Sequence, residues 1–287
     1  MVKPEVEEAD DHLTLIIVIA VTGIIYWGVE PFAHSQMNPK VAPADYNFSD
    51  LTPINASGNA ENGKEIVFAN CIACHSIKKE GVESPFSDAD ALAAYGVVPP
   101  DLSSAGFIYE KNFLGNVIKD IAVATKQTHK FDGNHPMPNY NWMSDQEIAD
   151  IVAYLQSIAP KNMSNKEVFI DACSRCHDMK YDKMYAAGGL KTYLETKVPD
   201  LSMMIRSRDI EYLHIFINDP QKYLAGTAMP RVGLTKEAEN QVISYMESVG
   251  DSKKSERDSL GYKLVIFMLI MGVVAYLWKR KIWHDVH

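Results

Sequence analysis

Cys71-Ile72-Ala73-Cys74-His75 and, further along, Cys173-Ser174-Arg175-Cys176-His177 decide how this chain is read. In each unit two thiols sit three residues apart on one turn, with a histidine directly behind them. The 287 residues contain four cysteines, all inside these two units, so none is left for a disulfide. C-x-x-C-H is the pattern of covalent c-type haem attachment. The spacing lets both thiols add to the vinyl groups along one haem edge, and the histidine reaches the iron as proximal ligand. A zinc half-site or a thioredoxin-like pair would also use CxxC, but neither calls for the same histidine after each pair.

The two halves repeat more than the cysteines. Val98-Pro99-Pro100-Asp101-Leu102-Ser103 follows His75, and Val198-Pro199-Asp200-Leu201-Ser202 follows His177. Helical stretches come next, Tyr109 to Ala122 and Ile210 to Asn218, then a Met-Pro pair, Met137-Pro138 and Met229-Pro230. Each half closes on an amphipathic helix. The first has a capping box, Ser144 with Glu147, and apolar positions Ile148, Ile151, Val152 and Leu155. The second has Thr235 as N-cap and Val242, Tyr245, Met246 and Val249 on one face. Such an ordered series is an internal repeat.

The repeated unit resembles the class I cytochrome c domain. That resemblance implies an all-α fold: two tandem class I cytochrome c domains, 55–160 and 161–250, each wrapped around one covalently bound haem c. It also implies that the carbonyls of Pro100 and Pro199 accept a hydrogen bond from the proximal histidines His75 and His177. The structural alternative is a proline that only stiffens its loop.

Cytochromes c commonly hold iron with His and Met. Met229 in Gly226-Thr227-Ala228-Met229-Pro230 matches the family's methionine loop, and Met137 in His135-Pro136-Met137-Pro138 is its counterpart, with His135 as rival ligand. Met143, Met246, Met268 and Met271 read as packing or membrane residues, and Met179, Met203 and Met204 stand at the wrong place in the repeat. Arg231, two residues after Met229, is a candidate to neutralise a haem propionate. His12, His34, His129, His214, His284 and His287 carry no ligand signature. With both axial positions filled, iron offers no open site to a substrate, which argues for outer-sphere electron transfer and against catalysis by this chain alone.

Two apolar stretches bracket the repeat: Leu13 to Val29, with Tyr26 and Trp27 suited to an interface, and Gly261 to Trp278, followed by Lys279-Arg280-Lys281. The acidic residues before the first stretch, and the lack of an A-x-A site after it, favour an uncleaved anchor over a signal peptide. The expected division is a membrane anchor at 1–30, a linker at 31–54, the two haem domains, and a C-terminal anchor with cytoplasmic tail at 251–287. The basic cluster marks the cytoplasmic side. Both termini then lie in the cytoplasm, and the haem domains in the periplasm of a bacterial inner membrane.

The C-terminal segment, Gly261-Tyr262-Lys263 through Trp283 and Asp285-Val286-His287, is similar to the anchor of cytochrome c1, and Cys74-His75-Ser76-Ile77 is close to that family's CHSM. A second haem and an N-terminal anchor depart from it. The chain most resembles the di-haem subunit that replaces cytochrome c1 in some bacterial quinol–cytochrome c reductases (bc1 complexes). The resemblance implies a cytochrome b subunit and a Rieske iron–sulfur protein as neighbours, and a soluble cytochrome c or terminal oxidase as acceptor. The di-haem subunit of a cbb3-type oxidase usually lacks such a C-terminal anchor, and a di-haem peroxidase needs an open iron position. A net charge of −9 argues against nucleic acid as partner.

Overall fold

A computed structural model describes residues 4–37, 41–126, 135–186 and 194–286. His129 and His287 lie outside the described residues. The chain divides into two compact units, Met1–Pro43 and Ala44–His287.

In the first unit, helix α1 (Pro4–Ile24) passes through a π-helical turn, Ile25–Val29, into α2 (Glu30–Met37). Its apolar span, Leu13–Gln36, contains no buried residue in its most apolar stretch. Twenty-four residues of helix extend about 36 Å, enough to cross a hydrocarbon layer of about 30 Å. The helix therefore outruns the anchor boundary expected at residue 30 and takes in residues assigned above to the linker.

The second unit contains α3 (Ala60–Asn70), α4 (Asp88–Tyr95), α5 (Lys111–Lys119), α6 (Asp145–Ile158), α7 (Asn165–Ala172), α8 (Ile210–Asn218), α9 (Lys236–Gly250) and α10 (Lys254–Val286), with shorter helical turns between them. Among the described residues there is no β-strand, only isolated bridges. The expected stretch from Tyr109 to Ala122 is broken. Asp120 leaves the helical region at φ −151° and caps a new turn through Val123 N–H.

Local chemistry accounts for the helix starts. Ser144 and Glu147 form the expected capping box, and Thr235 accepts from Ala238 N–H. Ser164 and Glu167 form a second capping box at α7. Each half then buries the apolar face of its closing helix. Ile148, Ile151, Val152 and Leu155 pack with Val67 and Leu114, while Val242, Tyr245 and Met246 pack with Val168, Phe169 and Met179. Val249 lies at the edge of the second core.

Residues 44–54, expected as linker, are a packed strap. Phe48 and Leu51 are buried with Phe113 and Ala124. Asp45 and Asn218 exchange two hydrogen bonds, of 3.0 and 3.1 Å. Tyr46 Oη donates to Glu239 at 2.6 Å, as does His214 Nδ1 at 2.6 Å. Two donors on one buried carboxylate offset part of its desolvation cost.

Burial raises the Glu239 carboxyl above its ordinary 4.5, while the Tyr46 and His214 donors pull it down. The folded chain then holds this proton more tightly than the unfolded one. The associated stability is full below the unfolded value and is lost as pH rises through the folded one. Glu239→Gln keeps an acceptor and is expected to flatten that slope, which urea unfolding from pH 4 to 8 measures; an unchanged slope would assign it to another group.

The two halves are stitched through backbone. Tyr109 and Leu234 form an antiparallel bridge, flanked by Glu110 N–H to Gly233 O at 3.0 Å and Thr235 N–H to Ile108 O at 2.9 Å. Gly233 has φ +74°, and a Cβ there would stand 1.9 Å from the Phe113 ring. Ile108, from the first half, is buried in the second core.

Candidate functional site

Each CxxCH turn grows from a helix end. Cys71 N–H closes on Val67 O at 2.8 Å, and His75 N–H then bonds to Cys71 O at 3.0 Å. In the second half Cys173 closes on Phe169 O at 2.9 Å and His177 on Cys173 O at 2.9 Å. Two short bridges follow, Ile77 with Val82 and Met179 with Met184. The Asp-Leu-Ser segments dock identically: Leu102 N–H bonds to Ser76 O and Leu201 N–H to Asp178 O, each at 2.9 Å.

Both proximal histidines are oriented as the proline positions imply. His75 Nδ1 lies 2.7 Å from Pro100 O and His177 Nδ1 lies 2.9 Å from Pro199 O. A carbonyl only accepts, so Nδ1 carries the hydrogen and Nε2 keeps the lone pair a metal needs. Burial pushes both imidazoles below their ordinary value, which favours the neutral, ligating form.

The methionine loops share a device not singled out from the sequence. Met229 N–H donates to Thr227 Oγ1 at 3.4 Å, and Met137 N–H donates to His135 Nδ1 at 3.0 Å. His135 thus fills the place of Thr227, as acceptor for the methionine two residues on. With Nδ1 accepting, the neutral ring carries its hydrogen on Nε2, and ligation through Nε2 would forfeit this bond. Gln221 braces the second loop further, accepting from Gly226 N–H at 2.7 Å and donating to Thr227 O at 3.1 Å. Gly226, at φ +78°, takes the left-handed turn this requires.

The competing chemistries find little support. Among the described residues no group of three His, Cys, Asp or Glu side chains is placed to hold a metal, so the two cysteine pairs do not converge on a zinc site. Burial pushes the Cys71 thiol up to about 11 and Cys173 up to about 12, opposite to the lowered thiol of a reactive redox pair.

Fit to a haem can be tested on unmet donors. Arg175 Nε and Arg231 Nε are buried without an acceptor, one inside the second CxxCH turn and one just past Met229. An unmet buried donor is costly, and haem carboxylates are acceptors of the right charge. The residues therefore fit the group. Arg231 has less to offer a propionate than expected, because Nη1 and Nη2 already bond Asp50 at 3.1 and 2.5 Å and Asp219 lies 3.7 Å away.

Met143, Met179 and Met246 are buried in the cores, as packing residues should be, whereas Met137 and Met229 stay half-buried on loops. The cluster of the buried Glu239 with the half-buried Tyr46 and His214 had no local signal, since its members are far apart in sequence.

Comparison with known proteins agrees with the first half of this geometry. Residues 60–159 match the cytochrome c family model. Cytochrome c6 of Cyanidium caldarium is 29% identical over 105 residues, covering 37% of this chain and 76% of that protein. A chain of a hyperthermophilic respiratory Complex III aligns over 96% of this chain and 99% of its own length, at 19% identity and a TM-score of 0.33. Residues 60–159 are thus similar to a cytochrome c domain, the kind of unit that carries covalently bound haem c and serves electron transfer.

Proposed function

We propose that the whole chain is a membrane-anchored di-haem cytochrome c, the cytochrome c1-like subunit of a bacterial quinol–cytochrome c reductase. One observation carries the two-haem reading. The second half reproduces the cysteine turn, the histidine-to-proline bond and a methionine N–H braced by the side chain two residues before it. A bound c-type haem supplies a reversible one-electron iron couple. His75 and His177, kept in the Nδ1–H form by the proline carbonyls, would hold the iron together with Met137 and Met229. Cys71, Cys74, Cys173 and Cys176 would carry the covalent links.

Support for the membrane setting comes from two helices long and apolar enough to cross a bilayer, Leu13–Gln36 and Lys254–His284. The second is fastened where it leaves α9: Arg257 forks onto Asp251 at 2.5 and 2.9 Å, and Lys254 pairs with Glu247. The cytochrome c1-like tail and the basic cluster Lys279-Arg280-Lys281 favour haem domains in the periplasm. There they would take electrons from a Rieske protein beside cytochrome b and pass them to a soluble cytochrome c or a terminal oxidase.

Purification in mild detergent with mass spectrometry tests this assignment. Cytochrome b and Rieske subunits are the expected companions. Recovery with copper–haem oxidase subunits would replace the reductase reading with a cbb3-type oxidase.

A further inference from the structure

We infer that Asp50, in the strap at 44–54, is a positioning residue for Met229: its carboxylate pins Arg231 and thereby restrains the methionine loop of the second site. This deepens the proposed function and rests on its reading of Met229 as an iron ligand.

The loop is fastened differently on its two sides. Before Met229 the supports come from the second half itself, through Gln221, Gly226 and Thr227. After it the chain runs Met229-Pro230-Arg231, and the supports come from elsewhere. Arg231 N–H donates to Thr125 O of the first half at 2.9 Å. Its Nη1 and Nη2 fork onto the two carboxylate oxygens of Asp50 at 3.1 and 2.5 Å. The guanidinium also lies 5.4 Å from the centroid of the Phe48 ring, so the strap holds it by charge and by an aromatic face. Arg231 is only 2% exposed. Asp219 lies 3.7 Å from it but is paired with Lys126 at 2.5 Å, so the fork depends on Asp50.

Fixing Arg231 fixes Met229 because little can bend between them. The Pro230 ring locks its own φ and confines the residue before it to extended backbone. A bidentate arginine–carboxylate pair sets direction as well as distance. The guanidinium is buried, so removing the carboxylate leaves a costly unpaired charge, which the loop relieves by moving toward water. The first half is built otherwise. Two residues after Met137 stands the exposed Asn139, where no arginine fork can form, and the loop is tied within its own half by Tyr140 N–H to Ile118 O at 3.2 Å. Dependence on the strap is therefore specific to the second site.

A bland alternative is that Asp50 only glues the strap down, and imidazole titration of the haem-loaded ferric protein separates the two. Imidazole takes the iron when a methionine lets go, so its apparent affinity reports the fraction of open loop. In the Met137→Ala protein the remaining sulfur-to-iron band belongs to the second haem, and its loss reads displacement of Met229. Adding Asp50→Ala is expected to lower the imidazole midpoint roughly tenfold. Asp50→Glu, which keeps the charge on a longer stem, should restore most of the parent midpoint. If Asp50→Ala fails to load haem, Asp50→Asn, which keeps the shape and loses the charge, is expected to lower the midpoint severalfold. The matching titration of the first haem, in a Met229→Ala background, should not respond to Asp50. A glue-only role would lower Tm and leave the midpoint where it was. That result, or equal shifts at both haems, overturns the inference. Persistence of both bands in Met229→Ala would instead sink the ligand reading on which it rests.

Discussion

Replacing Met229 with Ala in the haem-loaded protein is expected to lower one reduction potential steeply and to remove one sulfur-to-iron charge-transfer band; Met137→Ala should do the same to the other. The thioether is a soft ligand that favours ferrous iron, so its loss stabilises the ferric state. Axial ligands set haem potentials over a range of about 0.8 V, which dwarfs any effect of a surface charge. The loop geometry makes the first site the sharper test. His135 Nδ1 accepts from Met137 N–H at 3.0 Å, as Thr227 Oγ1 accepts from Met229 N–H at 3.4 Å. His135→Ala should therefore loosen the loop and leave the band in place. Loss of the band in His135→Ala, with Met137→Ala unchanged, would exchange the two roles.

That comparison marks where the sequence was legible. The CxxCH turns, the capping box at Ser144 and the proline carbonyls depend on residues near in the chain or repeated in order, and the structure has each in its expected geometry. The hydrogen bond from Met137 N–H to His135 was not legible, because it turns on which nitrogen of one ring faces one N–H. The strap at 44–54 was hidden for another reason. Asp45 meets Asn218 and Tyr46 meets Glu239 across separations of 173 and 193 residues, and a short polar stretch gives no periodicity to betray them. The joining of the halves through Tyr109 and Leu234 was equally silent: a single bridge leaves no alternating pattern.

The largest loss of stability is expected from Gly63. Helix α3 crosses α6 so closely that a Cβ on Gly63 would stand 1.9 Å from Asp150 O and 2.9 Å from Tyr154 Cβ. The nearest obstacle is backbone, which cannot rotate away as a side-chain tip can. Ala in a helix otherwise gains about 1 kcal/mol over Gly, but overpacking typically costs about 1–3 kcal/mol, and a backbone clash falls at the upper end. Asp150 adds to the loss, because its carboxylate accepts from Asn59 N–H at 2.6 Å and so ties the start of α3 to α6. Gly63→Ala should therefore lower Tm by several degrees, and Gly63→Leu should prevent the first half from closing. The second half provides an internal control. Eight residues before its first cysteine, where the first half has Gly63, stands the exposed Asn165. Asn165→Ala is expected to change stability by no more than about 0.5 kcal/mol, as surface substitutions do. Thermal unfolding alongside haem content per chain reads both effects. Gly63→Leu is expected to halve the haem content and Asn165→Ala to leave it intact, and a Gly63→Leu protein with both haems and the parent Tm would show that the α3–α6 crossing is not the contact that closes the first half.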